Sequence, residues 1–140
     1  MDSREKLISQ ISEGIDKKQS NDNSNKSILA RGCDPRMAQR AIELIPPLIG
    51  NPEMVAVTND DDFIKELQRK KWSIIQFAPG ACRYDASKLP IPGSRMITNG
   101  WGLEKYRELV RKYQGEEIKI IETTDERQIV NLLRKALDAI

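Results

Sequence analysis

The chain contains no histidine among its 140 residues. That absence excludes Ser-His-Asp and Cys-His catalysis, histidine-based metal sites and histidine-based pH switching within this sequence. A general base would therefore have to be a carboxylate, a lysine or tyrosine with a shifted pKa, or a cysteine thiolate.

Cysteine, long apolar runs and excess charge are scarce as well. The two cysteines, Cys33 and Cys82, are too far apart to suggest a disulfide framework or a zinc cluster. No run approaches the roughly 18 apolar residues of a membrane span, and the polar opening at 1–6 leads to no signal-peptide core. The 23 basic and 21 acidic residues leave a net charge of only +2. We expect a cytoplasmic protein with no membrane segment, metal or other cofactor.

The first part of the sequence divides into an amphipathic segment and a polar one. A short helix is predicted near 4–16, because apolar side chains recur on one face, at Leu7, Ile8, Ile11 and Ile15. The segment 17–27 has no apolar residue to offset its ordering entropy, which predicts a flexible linker. We therefore expect a terminal helix plus linker over 1–28 and a single domain over 29–140. The helix is either a loosely attached terminus or a docking element for another protein or a second copy of the chain.

Apolar runs then alternate with helix-spaced segments. Asp34 before Pro35 is typical of a helix start, and Asn59 or Asp60 can cap a second helix. Gly115 is placed to cap the end of a later helix. Strands are predicted at 54–58, 72–78, 95–98 and 117–121, with helices over 35–45, after 60, over 103–113 and up to 140. Apolar strands joined by helices favour a parallel sheet that is covered on both faces. The prediction is a three-layer α/β sandwich with about four mainly parallel strands, doubly wound as in flavodoxin-like sheets.

The loops after the predicted strands are the expected binding region. Ligands of open parallel sheets bind beyond the carboxyl ends of the strands, where the strand order reverses. The candidate binding residues in these loops are Asp60, Gly80, Arg83, Tyr84, Asn99, Trp101 and Thr123. Five of them also have a structural explanation. Asp60 and Thr123 can cap helices, Gly80 and Asn99 can form turns, and Trp101 can pack as a hydrophobic staple.

Cys82 is the candidate nucleophile. It follows a predicted strand at a possible helix start, where backbone N–H groups and the neighbouring Arg83 would favour a thiolate. Tyr84 or Asp85 could then handle a proton. The alternative is a buried, inert thiol that acts as a small hydrophobic residue. The loop lacks the phosphatase spacing C-x5-R, because Lys88 stands at that position, and it lacks a phosphate-binding P-loop pattern.

The segment 57–89 resembles the first half of a thioredoxin-like domain. An acidic stretch, a helix and an apolar strand ending in Phe77-Ala78 lead to a cysteine at a helix start. The resemblance implies that Cys82 is the attacking cysteine. Ala81 stands where the family has tryptophan and Asp85 where it has the resolving cysteine, so a dithiol–disulfide cycle cannot run at this loop. The later strand and helix order departs from the family, and a thioredoxin-like fold is the alternative prediction.

For function, the sequence favours a non-catalytic binding or protein-interaction domain, because no complete catalytic motif is present and the terminal helix could dock a partner. The alternative is a small α/β enzyme that uses the strand-end loops with Cys82 as its nucleophile. Nucleic-acid binding is a third interpretation. One basic face would begin with Arg31, Arg36 and Arg40, and a second helix carries Lys105, Arg107, Arg111 and Lys112. Glutamates alternate with them, which is more typical of a solvated helix face.

The reactivity of Cys82 separates these interpretations. Iodoacetamide alkylation of Cys33→Ser and Cys82→Ser proteins across the neutral pH range measures each thiol separately. If Cys82 is structural, it reacts only near the ordinary thiol pKa of about 8.5, or only on unfolding. Rapid alkylation of Cys82 well below that pH would favour the enzyme.

Overall fold

The computed structural model describes residues 21–32, 34–77, 103–122 and 125–140. Within these ranges it contains four strands: β1 Ser27–Arg31, β2 Glu53–Val57, β3 Ile74–Phe77 and β4 Lys119–Glu122. Four α-helices accompany them: α1 Pro35–Leu44, α2 Asp60–Arg69, α3 Leu103–Gln114 and α4 Ile129–Asp138. Short 3-10 turns lie at Pro46–Leu48 and Glu126–Gln128. In the part of the chain described, no helix is long and apolar enough to cross a membrane.

The four strands form one parallel sheet in the order β2-β1-β3-β4. All three strand pairs are parallel, with Ala30 opposite Ala56 on one side and opposite Gln76 on the other. β1 and β3 are therefore the central pair of the described sheet. This order corresponds to that of doubly wound, flavodoxin-like sheets. The predicted α/β sandwich with a small parallel sheet is confirmed.

Side-chain alternation along the strands builds a core on each face of the sheet. Ile28 and Ile74 pack with α1 and α4, whereas Leu29 and Ile75 pack with α2 and α3. Because successive residues of a strand point to opposite faces, a run of apolar residues can serve both cores. The helices thus form an outer layer on each side, called here the α1/α4 face and the α2/α3 face.

Local capping interactions set the helix ends as the sequence predicts. Asp34 accepts a hydrogen bond from the Arg36 backbone N–H, and Asn59 accepts one from the Asp62 backbone N–H. At the end of α3, Gly115 has a φ of +97° and its N–H donates to the Arg111 carbonyl. These are short-range interactions, which a sequence pattern reports directly.

The beginning of the domain differs from the prediction. Ser27–Arg31 is a central strand that the pattern did not reveal, and the expected boundary between residues 28 and 29 falls inside it. The flexible linker predicted over 17–27 also extends too far, because Asn23 lies within it and is fully buried. Its burial is compensated by hydrogen bonds, which the composition of the segment does not show. The strand predicted at 95–98, the terminal helix at 4–16 and residues 78–89 of the segment that resembles a thioredoxin-like domain lie outside the described residues.

Hydrogen bonds from Asn23 and Lys26, called here the polar latch, fasten the segment before β1 to the end of α4. The Asn23 side-chain amide donates to the Ile49 carbonyl at 2.9 Å and to Asp138 Oδ1 at 3.2 Å. Lys26 Nζ donates to the Leu137 carbonyl at 2.6 Å and to Asn23 Oδ1 at 2.9 Å. The latch therefore satisfies a C-terminal carbonyl of α4 and connects it to the strand that enters the middle of the sheet.

Gly50 provides a test of the latch. Its φ is +90°, and a Cβ there would collide with the Asn21 carbonyl and lie 2.8 Å from the Asn23 backbone nitrogen. Gly115 is a matched control, because its φ is +97° but a Cβ would meet nothing within 4 Å. Gly115→Ala should cost about 1–2 kcal/mol of unfolding free energy through backbone strain. Gly50→Ala should cost a further ~1–3 kcal/mol through the clash.

Urea unfolding of the two alanine variants measures the difference. Equal losses of unfolding free energy would contradict a close-packed latch between Gly50 and residues 21–23.

Candidate functional site

The carboxyl ends of the strands meet at one edge of the sheet, called here the carboxyl edge. The strand order reverses between β1 and β3, because β2 lies on one side of β1 whereas β3 and β4 lie on the other. Such a reversal in an open parallel sheet creates a crevice between the strand ends. The crevice position in this chain is therefore between Arg31, at the end of β1, and Phe77, at the end of β3.

A fully buried polar cluster occupies the α2/α3 face of this edge. The guanidinium of Arg31 donates to Asp60 Oδ1 from Nε at 3.2 Å and from Nη2 at 2.9 Å. The Tyr106 hydroxyl donates to Asp60 Oδ2 at 2.9 Å, and Arg31 Nη1 donates to the Gly32 carbonyl. The side chains of Arg31 and Asp60 are both 0% exposed. We call Arg31, Asp60 and Tyr106 the buried triad.

The local sequence explains how Asp60 reaches this position. Asn59 caps α2, so Asp60 is the first helical residue and lies next to the unsatisfied N–H groups of the helix terminus. Arg31 is the last residue of β1 and comes two positions after Leu29, so both side chains point to the α2/α3 face. Tyr106 comes from α3, where its ring also packs edge-on against Phe77 at a centroid distance of 6.2 Å. The triad therefore joins β1, α2 and α3 at one point.

A second ion pair fixes the end of β4. Arg107 donates from Nε to Glu122 Oε2 at 2.7 Å and from Nη2 to Glu122 Oε1 at 2.6 Å. This two-bond geometry is the strong form of an arginine–carboxylate pair. Tyr106 and Arg107 are neighbours in the chain, so adjacent residues of α3 hold two different strand ends.

Asp125 closes the loop after β4. Hydrogen bonds from the Arg127 side chain, and then from the Arg127 backbone N–H, lower the pKa of Asp125 from its usual value. The charged form is the one that accepts these bonds, so the carboxylate is ionised and engaged at neutral pH. Asp125 thus starts the 3-10 turn that leads into α4.

Gln76 is the exception among the buried polar groups of this edge. It is 3% exposed and lies one residue before the end of β3, on the α1/α4 face. Its Oε1 atom is buried and accepts no hydrogen bond in the part of the chain that is described. Leaving a buried acceptor unpaired costs about 1–3 kcal/mol. Gln76 therefore offers an acceptor beside the crevice that a donor could satisfy.

The carboxylates of this edge position the side chains around them. Both oxygens of Asp60 and both oxygens of Glu122 accept hydrogen bonds from side chains of the same chain. Among the described residues, no group of three or more cysteine, aspartate or glutamate side chains could hold a metal ion.

Of the predicted site residues, the structure describes only Asp60. It lies at the carboxyl edge as expected, but it pairs with Arg31 and does not cap the helix, a role that belongs to Asn59. The remaining predicted residues, Gly80, Cys82, Arg83, Tyr84, Asn99, Trp101 and Thr123, lie outside the described residues. The structure adds Arg31, Gln76, Tyr106, Arg107 and Glu122 to this edge.

The placement of Arg31 corrects one sequence interpretation. The sequence predicts a basic face that begins with Arg31, Arg36 and Arg40, yet Arg31 is fully buried. Alternation along β1 turns its side chain toward α2, whereas Arg36 is exposed on α1. The three arginines therefore do not form one surface.

Comparison with models of protein families, with curated proteins and with solved structures finds no match for this chain.

Substitutions in the buried triad test its energetic weight. Asp60→Asn leaves the buried guanidinium without its counter-charge and should cost about 3–5 kcal/mol of unfolding free energy. Tyr106→Phe removes the hydrogen bond from a neutral hydroxyl to a carboxylate and should cost about 1.5–3 kcal/mol. Urea unfolding monitored by circular dichroism gives both values.

The double substitution Arg31→Met with Asp60→Leu is the control for this interpretation. Replacing both charges by apolar groups should destabilise less than Asp60→Leu alone, because no unpaired charge remains buried. Additive losses in the double variant would show that the two side chains do not act as a pair.

Proposed function

We propose that this chain is a small, non-catalytic α/β binding domain whose ligand or protein partner contacts the carboxyl edge near β1 and β3. The main support is the buried triad, which places a dry ion pair at the strand-order reversal. Breaking such a pair is costly, while an apolar replacement of both partners would often be at least as stable. A role in shaping the strand ends accounts for charges that stability alone does not require.

The engaged state of the carboxylates supports binding over catalysis. Asp60 and Glu122 direct their oxygens at Arg31, Tyr106 and Arg107. These contacts fix the points from which the strand-end loops begin. A binding domain benefits from such fixed points, because a preorganised site loses less entropy when it takes up its ligand.

Gln76 indicates the chemistry of the ligand. Its buried Oε1 accepts nothing from the described residues, so an N–H or O–H donor would recover the cost of that unpaired acceptor. The ligand proposed for the crevice is accordingly a polar molecule or peptide group with a donor directed at β3.

The terminal segment is a separate part of the proposal. The amphipathic spacing near 4–16 supports docking on another protein or on a second copy of the chain. Sedimentation velocity measures the oligomeric state of the full chain and of a chain beginning at Asn21. An unchanged oligomeric state after truncation would show that the helix does not mediate self-association. The cytoplasmic location stays a prediction from the sequence.

Thermal shift with a panel of nucleotides, sugar phosphates and small thiols tests the carboxyl edge. A ligand at a hundred times its dissociation constant should stabilise the folded state by about 2.7 kcal/mol. The amide signals that move in two-dimensional NMR should then belong to Gly32, Thr58 and their neighbours at the strand ends. Mass spectrometry of the recovered ligand must show it unchanged, because conversion to a product would favour the enzyme alternative.

Two pairs of variants locate the binding. Thr58→Arg places a bulky side chain at the carboxyl edge and should weaken binding, whereas Ser24→Arg adds the same group to an exposed turn at the opposite edge. Gln76→Leu should preserve or raise the melting temperature of the free protein, since it removes an unpaired acceptor, and should reduce ligand affinity by about tenfold. Stabilisation by a ligand that is insensitive to both Thr58→Arg and Gln76→Leu would overturn the proposed site.

A further inference from the structure

The opposite edge of the sheet, where the strands begin, carries a cleft of about 310 Å³ between the ends of α2 and α3. The residues that line it are Leu67, Gln68, Lys70, Lys71 and Tyr113. Its volume lies at the lower end of the range of roughly 300–1,000 Å³ that small-ligand sites occupy. The half-buried ring of Tyr113 is the accessible apolar surface of the cleft, since Leu67 is only 1% exposed, and both charged residues that line the cleft are lysines.

The frame of the cleft is held by Gln114, the last residue of α3. Its Oε1 accepts from the Trp72 backbone N–H at 2.7 Å, and its Nε2 donates to the carbonyls of Leu67 and Lys70 at 2.7 and 2.9 Å. These bonds join the end of α2, the start of β3 and the end of α3. Because every polar atom of the Gln114 side chain is used, the two helix ends have a fixed separation.

The lysines are held at the cleft and retain donors. Lys71 Nζ donates to the Tyr113 carbonyl at 2.7 Å, and Lys70 Nζ lies 2.7 Å from Glu53 Oε1. Lys70 Nζ also lies 4.9 Å from the centre of the Trp72 ring. An ammonium has three N–H donors, so each of these contacts leaves capacity for a further acceptor. Both cations are therefore positioned before any anion arrives.

From this cleft we propose a second interaction surface, which binds an acidic peptide segment of a partner protein through Lys70 and Lys71. Carboxylates of the segment pair with the two ammonium groups, and an apolar side chain between them packs on the ring of Tyr113. This surface lies at the edge of the sheet opposite the proposed carboxyl-edge site and does not depend on it.

The surrounding charges favour an acidic peptide over a nucleic acid. Arg69 next to the cleft pairs with Glu66 at 2.6 Å, and Lys70 is shared with Glu53. A nucleic-acid surface tracks successive phosphates with a continuous positive groove. Here the cationic groups that line the cavity are confined to one short cleft, and the whole chain has a net charge of only +2.

The probe is the hexapeptide Glu-Leu-Glu-Glu-Leu-Glu with blocked ends, labelled for fluorescence anisotropy, with Gln-Leu-Gln-Gln-Leu-Gln as its uncharged counterpart. The acidic peptide should bind saturably and weaken as salt concentration rises. In two-dimensional NMR its amide shifts should cluster at Lys70, Lys71 and Tyr113, away from Gly32 and Thr58. This position distinguishes it from a ligand of the carboxyl edge.

The decisive variant is Lys70→Gln with Lys71→Gln, which should raise the dissociation constant by about tenfold or more. Lys135→Gln is the matched control, because Lys135 is exposed on α4 at the other face of the sheet. Unchanged melting temperatures confirm that the variants are folded.

Equal weakening by the control, equal binding of the uncharged peptide, or no saturable binding would overturn the proposal. Tighter binding of a short oligothymidylate at the same residues would also overturn it, in favour of a nucleic-acid partner.

Discussion

The ion pair between Arg31 and Asp60 is the interaction on which the arrangement of the carboxyl edge depends. It joins the central strand to the first turn of α2, and Tyr106 extends it to α3. Neither charge has access to water, so each is tolerable only because the other is present. The pair therefore acts as a geometric constraint. The end of β1 and the start of α2 must come together correctly, or both charges stay unpaired in an apolar core.

The helix α3 is hydrogen-bonded to residues at both edges of the sheet. Its neighbouring residues Tyr106 and Arg107 hold the buried triad and the end of β4, while Gln114 at its other end holds the start of β3. One helix thus contacts both edges through side-chain hydrogen bonds. Its apolar face, with Val110 buried against the sheet, supplies the packing, and these polar contacts determine its position along the strands.

The success of sequence reasoning follows the range of the interactions. The caps at Asp34, Asn59 and Gly115 involve neighbouring residues and were predictable. The helices that begin or end at these caps were predictable as well. The strand β1 was not predictable, because its short apolar stretch ends in Arg31, and arginine usually marks a surface. The burial of Arg31 depends on Asp60, 29 positions further along the chain. The same separation explains why Asp60 was predicted as a site residue without its partner.

The latch between Asn23 and α4 has a consequence for the order of folding. Asn23 bonds to Asp138 across 115 positions, and Lys26 bonds to Leu137 across 111. The contacts of Asn23 with Ile49, 26 positions away, and with the neighbouring Gly50 need no part of α4. Contacts between the more distant positions form late, because the loop-closure entropy must be overcome first. During synthesis on the ribosome, the hydrogen bonds from Asn23 and Lys26 to α4 could form only after that helix had been made.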